Sequence, residues 1–198
     1  LTMKKNLFLT ILSLFPVISF AGPFGFDIGK NLDHYPRATF TKMENSNVKY
    51  RVENPPTPNK SMELYVVYET EESGICFIKG MSVNITTSAY GTSLITKYNS
   101  VADAVDSKYG ATYKKEVTDF LSYGSIWDEP NDYMRSLLKG ERYAFITWKA
   151  KDKANPIESI YLAQAALDTE TGYFSIEYYG NNKEICDAEE NKSDSEGF

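Results

Sequence analysis

Residues 157–179, IESIYLAQAALDTETGYFSIEYY, give the clearest indication of the fold. Apolar and polar residues alternate over residues 157–167 and again over 173–179, which is the period of a half-buried β-strand. Residues 168–172 lie between the two runs and have the composition of a tight turn, with Gly172 available for a positive φ. The stretch therefore predicts an antiparallel hairpin.

The same alternation recurs on both sides of a long middle section. Turn-like residues join several of the runs in pairs, so hairpins follow one another along the chain instead of alternating with helices. An acidic turn over residues 69–74 joins one such pair. The further predicted strands are residues 24–28, 38–43, 48–52, 64–68, 75–78, an extension over 81–87 past a bulge at Gly80, and 143–148.

The middle section changes to helical spacing. Residues 92–109 place apolar side chains three and four positions apart, and Gly110 follows as a stop signal. The predicted buried positions are Leu94, Tyr98, Val101, Ala102 and Val105.

Weaker helical spacing continues after this helix. Val117, Phe120 and Leu121 keep it, and Pro130 opens a further helix over residues 131–139. The expected fold is α+β: an antiparallel sheet built from hairpins, with a helical insertion at about 92–139 packed on one face.

Residues 1–21 are predicted to be a cleaved signal peptide. Lys4 and Lys5 precede an apolar run over residues 7–20, and Ser19 and Ala21 form a small-x-small cleavage site. The alternative is a retained membrane anchor, but about 14 apolar-rich positions fall short of the ~20 that cross a bilayer. The expected location is therefore periplasmic or secreted.

The remaining chain is acidic. Removing Lys4 and Lys5 changes the formal net charge from −6 to −8. An acidic surface repels phosphates and anionic lipids, so neither nucleic-acid binding nor membrane binding after cleavage is expected, whereas a basic protein partner is compatible with this charge. Residues 22–186 are predicted to be a single α+β domain, and the polar residues 187–198 a disordered tail.

Cys76 and Cys186 are the two cysteines of the chain. Export would place both in an oxidising compartment, where disulfides persist. We therefore expect them to be bonded to each other, and the absence of a Cys-x-x-Cys motif argues against a redox role.

Catalytic motifs are absent from the sequence. His34 is the sole histidine and has no recognisable nucleophile setting, and the alternating oxygens of residues 187–193 lack the glycine and the closing carboxylate of a calcium loop. We predict no catalytic residue, no metal site and no cofactor. A carboxylate pair that cleaves a glycoside stays open, with Asp27, Asp128, Glu129 and Glu141 as candidates.

The densest mixture of aromatic, acidic and turn residues lies over residues 120–142. Trp, Tyr and Arg are efficient anchors for a partner, and loops on a rigid scaffold often carry binding sites. The alternative interpretation has the tryptophan in the core, an acid capping a helix and the arginine in an ion pair. The candidate binding residues are Trp127, Asp128, Glu129, Asp132, Tyr133 and Arg142.

Several short motifs resemble small exported proteins of Gram-negative bacteria that have no assigned activity. The motifs are residues 74–76, 90–92, 108–110, 124–127, 141–142, Trp148 and residues 185–186. The resemblance implies a periplasmic address and no site residue. The leading hypothesis is a non-enzymatic binding protein, of inhibitor or immunity type, with a basic partner. The alternatives are a carboxylate-dependent hydrolase of an envelope glycan and a structural envelope component.

Overall fold

The computed structural model describes residues 22–196, so the predicted signal peptide lies outside the described residues. Within that range nine strands form one antiparallel sheet. The strands are β1 Thr39–Lys42, β2 Lys49–Glu53, β3 Met62–Thr70, β4 Gly74–Ser82, β5 Ile85–Thr86, β6 Tyr113–Leu121, β7 Arg142–Ala150, β8 Ile157–Ala166 and β9 Thr171–Gly180. The helices are α1 Thr92–Tyr109, α2 Tyr133–Leu138 and α3 Lys183–Glu196. This architecture confirms the predicted α+β class.

The order of the strands is β1-β2-β3-β4-β9-β8-β7-β6, and the short strand β5 pairs with β9. Strands β8 and β9 form the hairpin predicted from residues 157–179, with Ala166 opposite Gly172 next to the turn. The hairpins β1–β2 and β3–β4 also lie where the sequence places them. Consecutive hairpins thus account for most of the sheet.

One face of the sheet carries the main core. The alternate residues Phe174, Ile176 and Tyr178 of β9 are buried, and α1 covers them with Leu94, Tyr98, Ala102 and Val105. Tyr98 also donates a hydrogen bond to the carbonyl oxygen of Leu162 on β8 at 3.2 Å. Val101, predicted to be buried, is half-buried because it lies at the side of the helix.

The N-terminal segment covers the same face of β3 and β4. Residues 24–28, predicted as a strand, instead begin inside a 3-10 turn over Pro23–Gly25, and none of them belongs to a strand. The ring of Phe24 packs edge-on against Tyr65 at 4.9 Å between ring centroids, and against Tyr178. A Cβ at Gly80 would lie 2.6 Å from the Phe24 ring, so glycine at this position makes room for the aromatic cluster.

A strand interrupts the helical insertion predicted over about 92–139, between α1 and α2. Residues 113–121 form the strand β6 and pair with β7 at all nine positions. Most of these side chains are exposed, because β6 lies at the edge of the sheet. The sequence therefore lacks the alternation of a half-buried strand, and pairing with β7 outweighs the weak helical spacing.

The polar C-terminal segment also differs from the expectation. Residues 187–196 belong to α3, where we predicted disorder. Cys186 forms the predicted disulfide with Cys76, and their Cα atoms are 6.5 Å apart. Glu190 accepts hydrogen bonds from Ser46 Oγ and Lys49 Nζ, both at 2.7 Å. The disulfide ties the helix to β4 and the Glu190 contacts tie it to the start of β2, while the helix packs on β3 and β4 on the face opposite α1.

No helix described within residues 22–196 is long and apolar enough to cross a membrane.

Candidate functional site

The candidate binding residues lie around the loop of residues 122–129, which we call the tip loop. It joins the end of β6 to a 3-10 turn over Pro130–Asp132 that leads into α2. Gly124 has φ +81°, a conformation that favours glycine. The Ser122 N–H donates to the carbonyl oxygen of Glu141 at 2.7 Å and fixes the base of the loop.

Trp127 anchors the second half of the tip loop. Its backbone N–H donates to Ser125 Oγ at 3.2 Å, and the guanidinium of Arg135 lies 4.9 Å from the centre of its ring. The residue is half-buried, so it neither plugs the core nor stands free. The buried tryptophan of the core is Trp148.

Tyr133 and Arg142 form a support between the sheet and α2, the helix that follows the tip loop. The Arg142 guanidinium lies 4.7 Å from the centre of the Tyr133 ring, and its Nε donates to Ser136 Oγ at 3.1 Å. Its Nη1 forms an ion pair with Asp119 Oδ1 at 2.5 Å. The Tyr133 hydroxyl donates to Gln164 Oε1 at 3.2 Å, and burial raises the pKa of this hydroxyl to about 12. This support joins α2 to β6, β7 and β8.

The three predicted acids differ in exposure. Asp128 and Glu129 are exposed on the tip loop, whereas Asp132 is half-buried in the 3-10 turn. No acid side chain caps this turn, because the cap at Glu129 has no side-chain hydrogen bond. Asp128 and Glu129 therefore present their carboxylates to solvent.

Apolar exposure at this end of the sheet was not predicted. Tyr123 is fully exposed at the tip, and Ile126 is 73 % exposed. Phe120 is 52 % exposed and stacks on Tyr143, with 5.0 Å between ring centroids. Tyr123 and Ile126 flank Gly124 and Ser125, and this turn was the sequence signal that could have identified them as exposed.

The exposed residues of the tip loop define a surface, which we call the tip surface: Tyr123, Ile126, Asp128 and Glu129. Phe120 and Tyr143 alternate with Asp119 and Ala144 along β6 and β7, so they lie on the sheet face away from α2. Clustered exposed aromatic and aliphatic side chains are typical of protein interaction sites. The structure thus divides the predicted set. The exposed acids belong to the surface and Trp127 anchors its loop, whereas Tyr133 and Arg142 join α2, the helix that follows the loop, to the sheet.

A separate concavity of about 400 Å³, which we call the acidic cavity, lies at the far side of the sheet. Tyr50 on β2 and the turn after β3 line it, and α3 closes one side. Burial and the carboxylates of Glu69 and Glu71 raise the pKa of Tyr50. The other acids that line the cavity are Glu72 and Glu189.

The other predicted carboxylate candidates are not gathered in this cavity. Asp27 is exposed on the N-terminal segment, where it accepts a hydrogen bond from the Gly22 backbone at 3.2 Å. Glu141 is half-buried and directly precedes β7. Among residues 22–196, no group of three or more His, Cys, Asp or Glu side chains is placed to hold a metal ion.

Comparison with known proteins gives no relatives: no family model, no curated protein and no solved structure matches this chain.

Proposed function

We propose that the protein is a non-enzymatic binding protein that acts outside the cytoplasm and contacts a basic protein partner through the tip surface. The observation that carries the proposal is the exposure of Tyr123 and Ile126 beside the carboxylates of Asp128 and Glu129. Large apolar side chains on a loop give affinity, and neighbouring charges give specificity and rate of association.

Contacts at both ends of the tip loop favour binding by a preorganised surface. Arg135 stacks on Trp127 at one end of the loop, and Ser122 bonds to the Glu141 backbone at the other. A loop held at both ends loses less conformational entropy on binding than a free one. Tyr123 and Ile126 are thus presented from a fixed base.

The charge of the protein supports the choice of a basic partner. The whole chain carries a formal net charge of −6. An acidic protein steers a basic partner toward it, and the exposed acids of the tip loop would orient that encounter. The Cys76–Cys186 disulfide is compatible with an oxidising compartment, where such a partner would be met.

The experiment is a pull-down from periplasmic extract that compares three forms of the protein. The double variant Tyr123→Ser/Ile126→Ser removes the apolar contacts of the tip. The control is Met43→Ser/Ile185→Ser, which changes two exposed apolar residues on the opposite side of the sheet, after β1 and on α3. We expect the control to retain the partner and the tip variant to bind it more weakly by about 2 kcal/mol or more, which is roughly thirtyfold in Kd.

A second experiment addresses the charges. Neutralising Asp128, Glu129 and Asp132 together, with folding checked by circular dichroism, should slow association with the captured partner and flatten its salt dependence. Binding with an unchanged rate and salt dependence would reject these acids as part of the site.

A second candidate function is a carboxylate-dependent hydrolase of an envelope glycan, and the acidic cavity is the observation that favours it. Glu69 in this cavity accepts a hydrogen bond from Asn31 Nδ2 at 3.2 Å, so its carboxylate has a defined position. Release of reducing sugars from purified peptidoglycan, lost in Glu69→Gln and retained in the exposed control Glu63→Gln, would favour the hydrolase. Absence of release would leave binding as the better proposal.

A further inference from the structure

The outer edge of β6 is regular and unpaired within the described part of the chain. β6 pairs with β7 at nine consecutive positions without a register shift, and no described strand lies on its other side. A strand in this position presents a row of backbone N–H and C=O groups to solvent. The opposite edge of the sheet, β1, has four residues and offers a much shorter row.

β6 lacks most of the features that protect edge strands. Its sequence, YKKEVTDFL, contains no proline, and the strand has no bulge against β7. Val117 at its centre is 69 % exposed. Its two lysines are balanced by two acids, so β6 is a neutral strip in an acidic chain and a second copy would meet no net repulsion there.

We propose that β6 pairs with β6 of a second copy of this chain, in an antiparallel arrangement about a two-fold axis through Val117. Opposite residues of an antiparallel pair lie on the same face and contact each other. In this register Val117 meets Val117, and Lys115 of each copy meets Asp119 of the other. On the second face Lys114 meets Phe120.

The neighbouring registers are less favourable. Moving the axis to Glu116 places two carboxylates opposite each other and sets Val117 against Lys115. Moving it to Thr118 sets Val117 against Asp119 and leaves Lys115 without an acid. The order of charges along β6 therefore selects the register centred on Val117. Of the three registers, this one alone places Lys115 of each copy opposite Asp119 of the other.

The charged side chains are already oriented within each copy. Lys115 Nζ bonds to Asp106 Oδ2, and Asp119 Oδ1 bonds to Arg142 Nη1, each at 2.5 Å. A lysine ammonium has three donors and a carboxylate accepts several hydrogen bonds, so both groups can take a further partner. Holding them in place reduces the entropy lost when the copies pair.

The fold leaves room for this contact. A concavity of about 240 Å³ lies between α1 and the β6–β7 edge, beside Val117 and Asp119. The second copy would face this opening. The tip loop begins beyond Leu121, so the pair would carry one tip surface at each end. The inference goes beyond the proposed function and does not require it, because pairing is measured on the isolated protein.

Sedimentation velocity of the purified protein over a wide concentration range tests the pairing. We expect a reversible dimer, and Val117→Lys should weaken it by about tenfold or more, because two ammonium groups would then face each other at the axis. Val83→Lys is the matched control, since it places the same residue at another exposed valine. A monomer at every concentration, or equal dimerisation of the two variants, would overturn the proposal.

A pair of cysteine variants tests the register. In the proposed dimer, the two sulfurs introduced by Val117→Cys would face each other across the axis within disulfide distance. Lys114→Cys places its two sulfurs six residues out of register, roughly 20 Å apart at ~3.3 Å per residue. Mild oxidation should therefore cross-link the first variant and not the second. Equal cross-linking, or none in Val117→Cys, would exclude this register.

Discussion

Removal of the Cys76–Cys186 disulfide by the double substitution Cys76→Ala/Cys186→Ala should destabilise the whole domain. The two cysteines are 110 residues apart in sequence. In the chain-entropy model, opening a loop of this length costs about 4–5 kcal/mol, because the unfolded chain gains conformations. A domain of ordinary stability has ~5–15 kcal/mol in total, so the loss is a large part of it.

Urea denaturation followed by circular dichroism measures this loss. With a slope of roughly 2 kcal/mol per molar urea, the midpoint should fall by about 2 M. The slope itself should rise, since the unfolded chain without the bridge exposes more surface. Reductant added to the native sequence should reproduce the shift, and reductant added to the double variant should change nothing.

The structure adds a local expectation to this global one. Cys186 lies in α3, which is otherwise held by the contacts of Glu190 with Ser46 and Lys49 and by Lys183 over the rings of two aromatic residues. Compared with the native protein, the double variant should therefore show a larger increase in hydrogen exchange at the backbone amides of α3 than at those of β8 and β9. A loss of stability below about 1 kcal/mol, or unchanged exchange in α3, would refute the reasoning.

Two further predictions concern the two faces of the sheet. Val105→Asp buries an unpaired carboxylate under α1 and should lower the free energy of unfolding by about 3 kcal/mol or more. Val101→Asp, at a half-buried position, should lower it by less than half of that. Equal shifts in melting temperature for the two variants would contradict this packing. For Glu190, burial opposes the charge, but hydrogen bonds from Lys49 and Ser46 outweigh it and lower the pKa below 4.5. The stabilising contribution of Glu190 is therefore present above pH 4.5 and is lost as the pH falls through the lowered pKa. In this acid range, the free energy of unfolding of Glu190→Gln should depend less on pH than that of the native protein. Parallel pH profiles of the two proteins would argue against the contact.

The sequence predicted the parts of the fold that one buried face determines. The β8–β9 hairpin and α1 each have a single apolar face, so their periods are visible in the sequence. The side chains of β6 are mostly exposed on both faces, so its sequence shows no clear alternation of apolar and polar residues. Its pairing with β7 makes it a strand. Likewise α3 is polar, and tertiary contacts through Cys186 and Glu190 stabilise it.

The candidate site was located by composition, but the roles of its residues were not. The sequence predicts a strand that contains Trp148 and a loop that contains Trp127, but it does not show that Trp127 is half-buried against Arg135. Arg142 finds Asp119 on a neighbouring strand, a pairing that depends on the register of β6 and β7. The turn at Gly124 and Ser125 could have marked Tyr123 as exposed, but the direction in which the loop projects is a property of the assembled sheet.

Site-specific photocrosslinking is the sharpest test of the proposal that the tip surface binds a protein partner. A benzophenone side chain replaces Tyr123 in one variant and Met43, an exposed residue beside β1 at the opposite edge of the sheet, in the other. Both are expressed in cells that carry the partner and irradiated. The proposal predicts a discrete covalent adduct with one basic protein from position 123 and none from position 43. No adduct at position 123, or the same adducts from both positions, would contradict it.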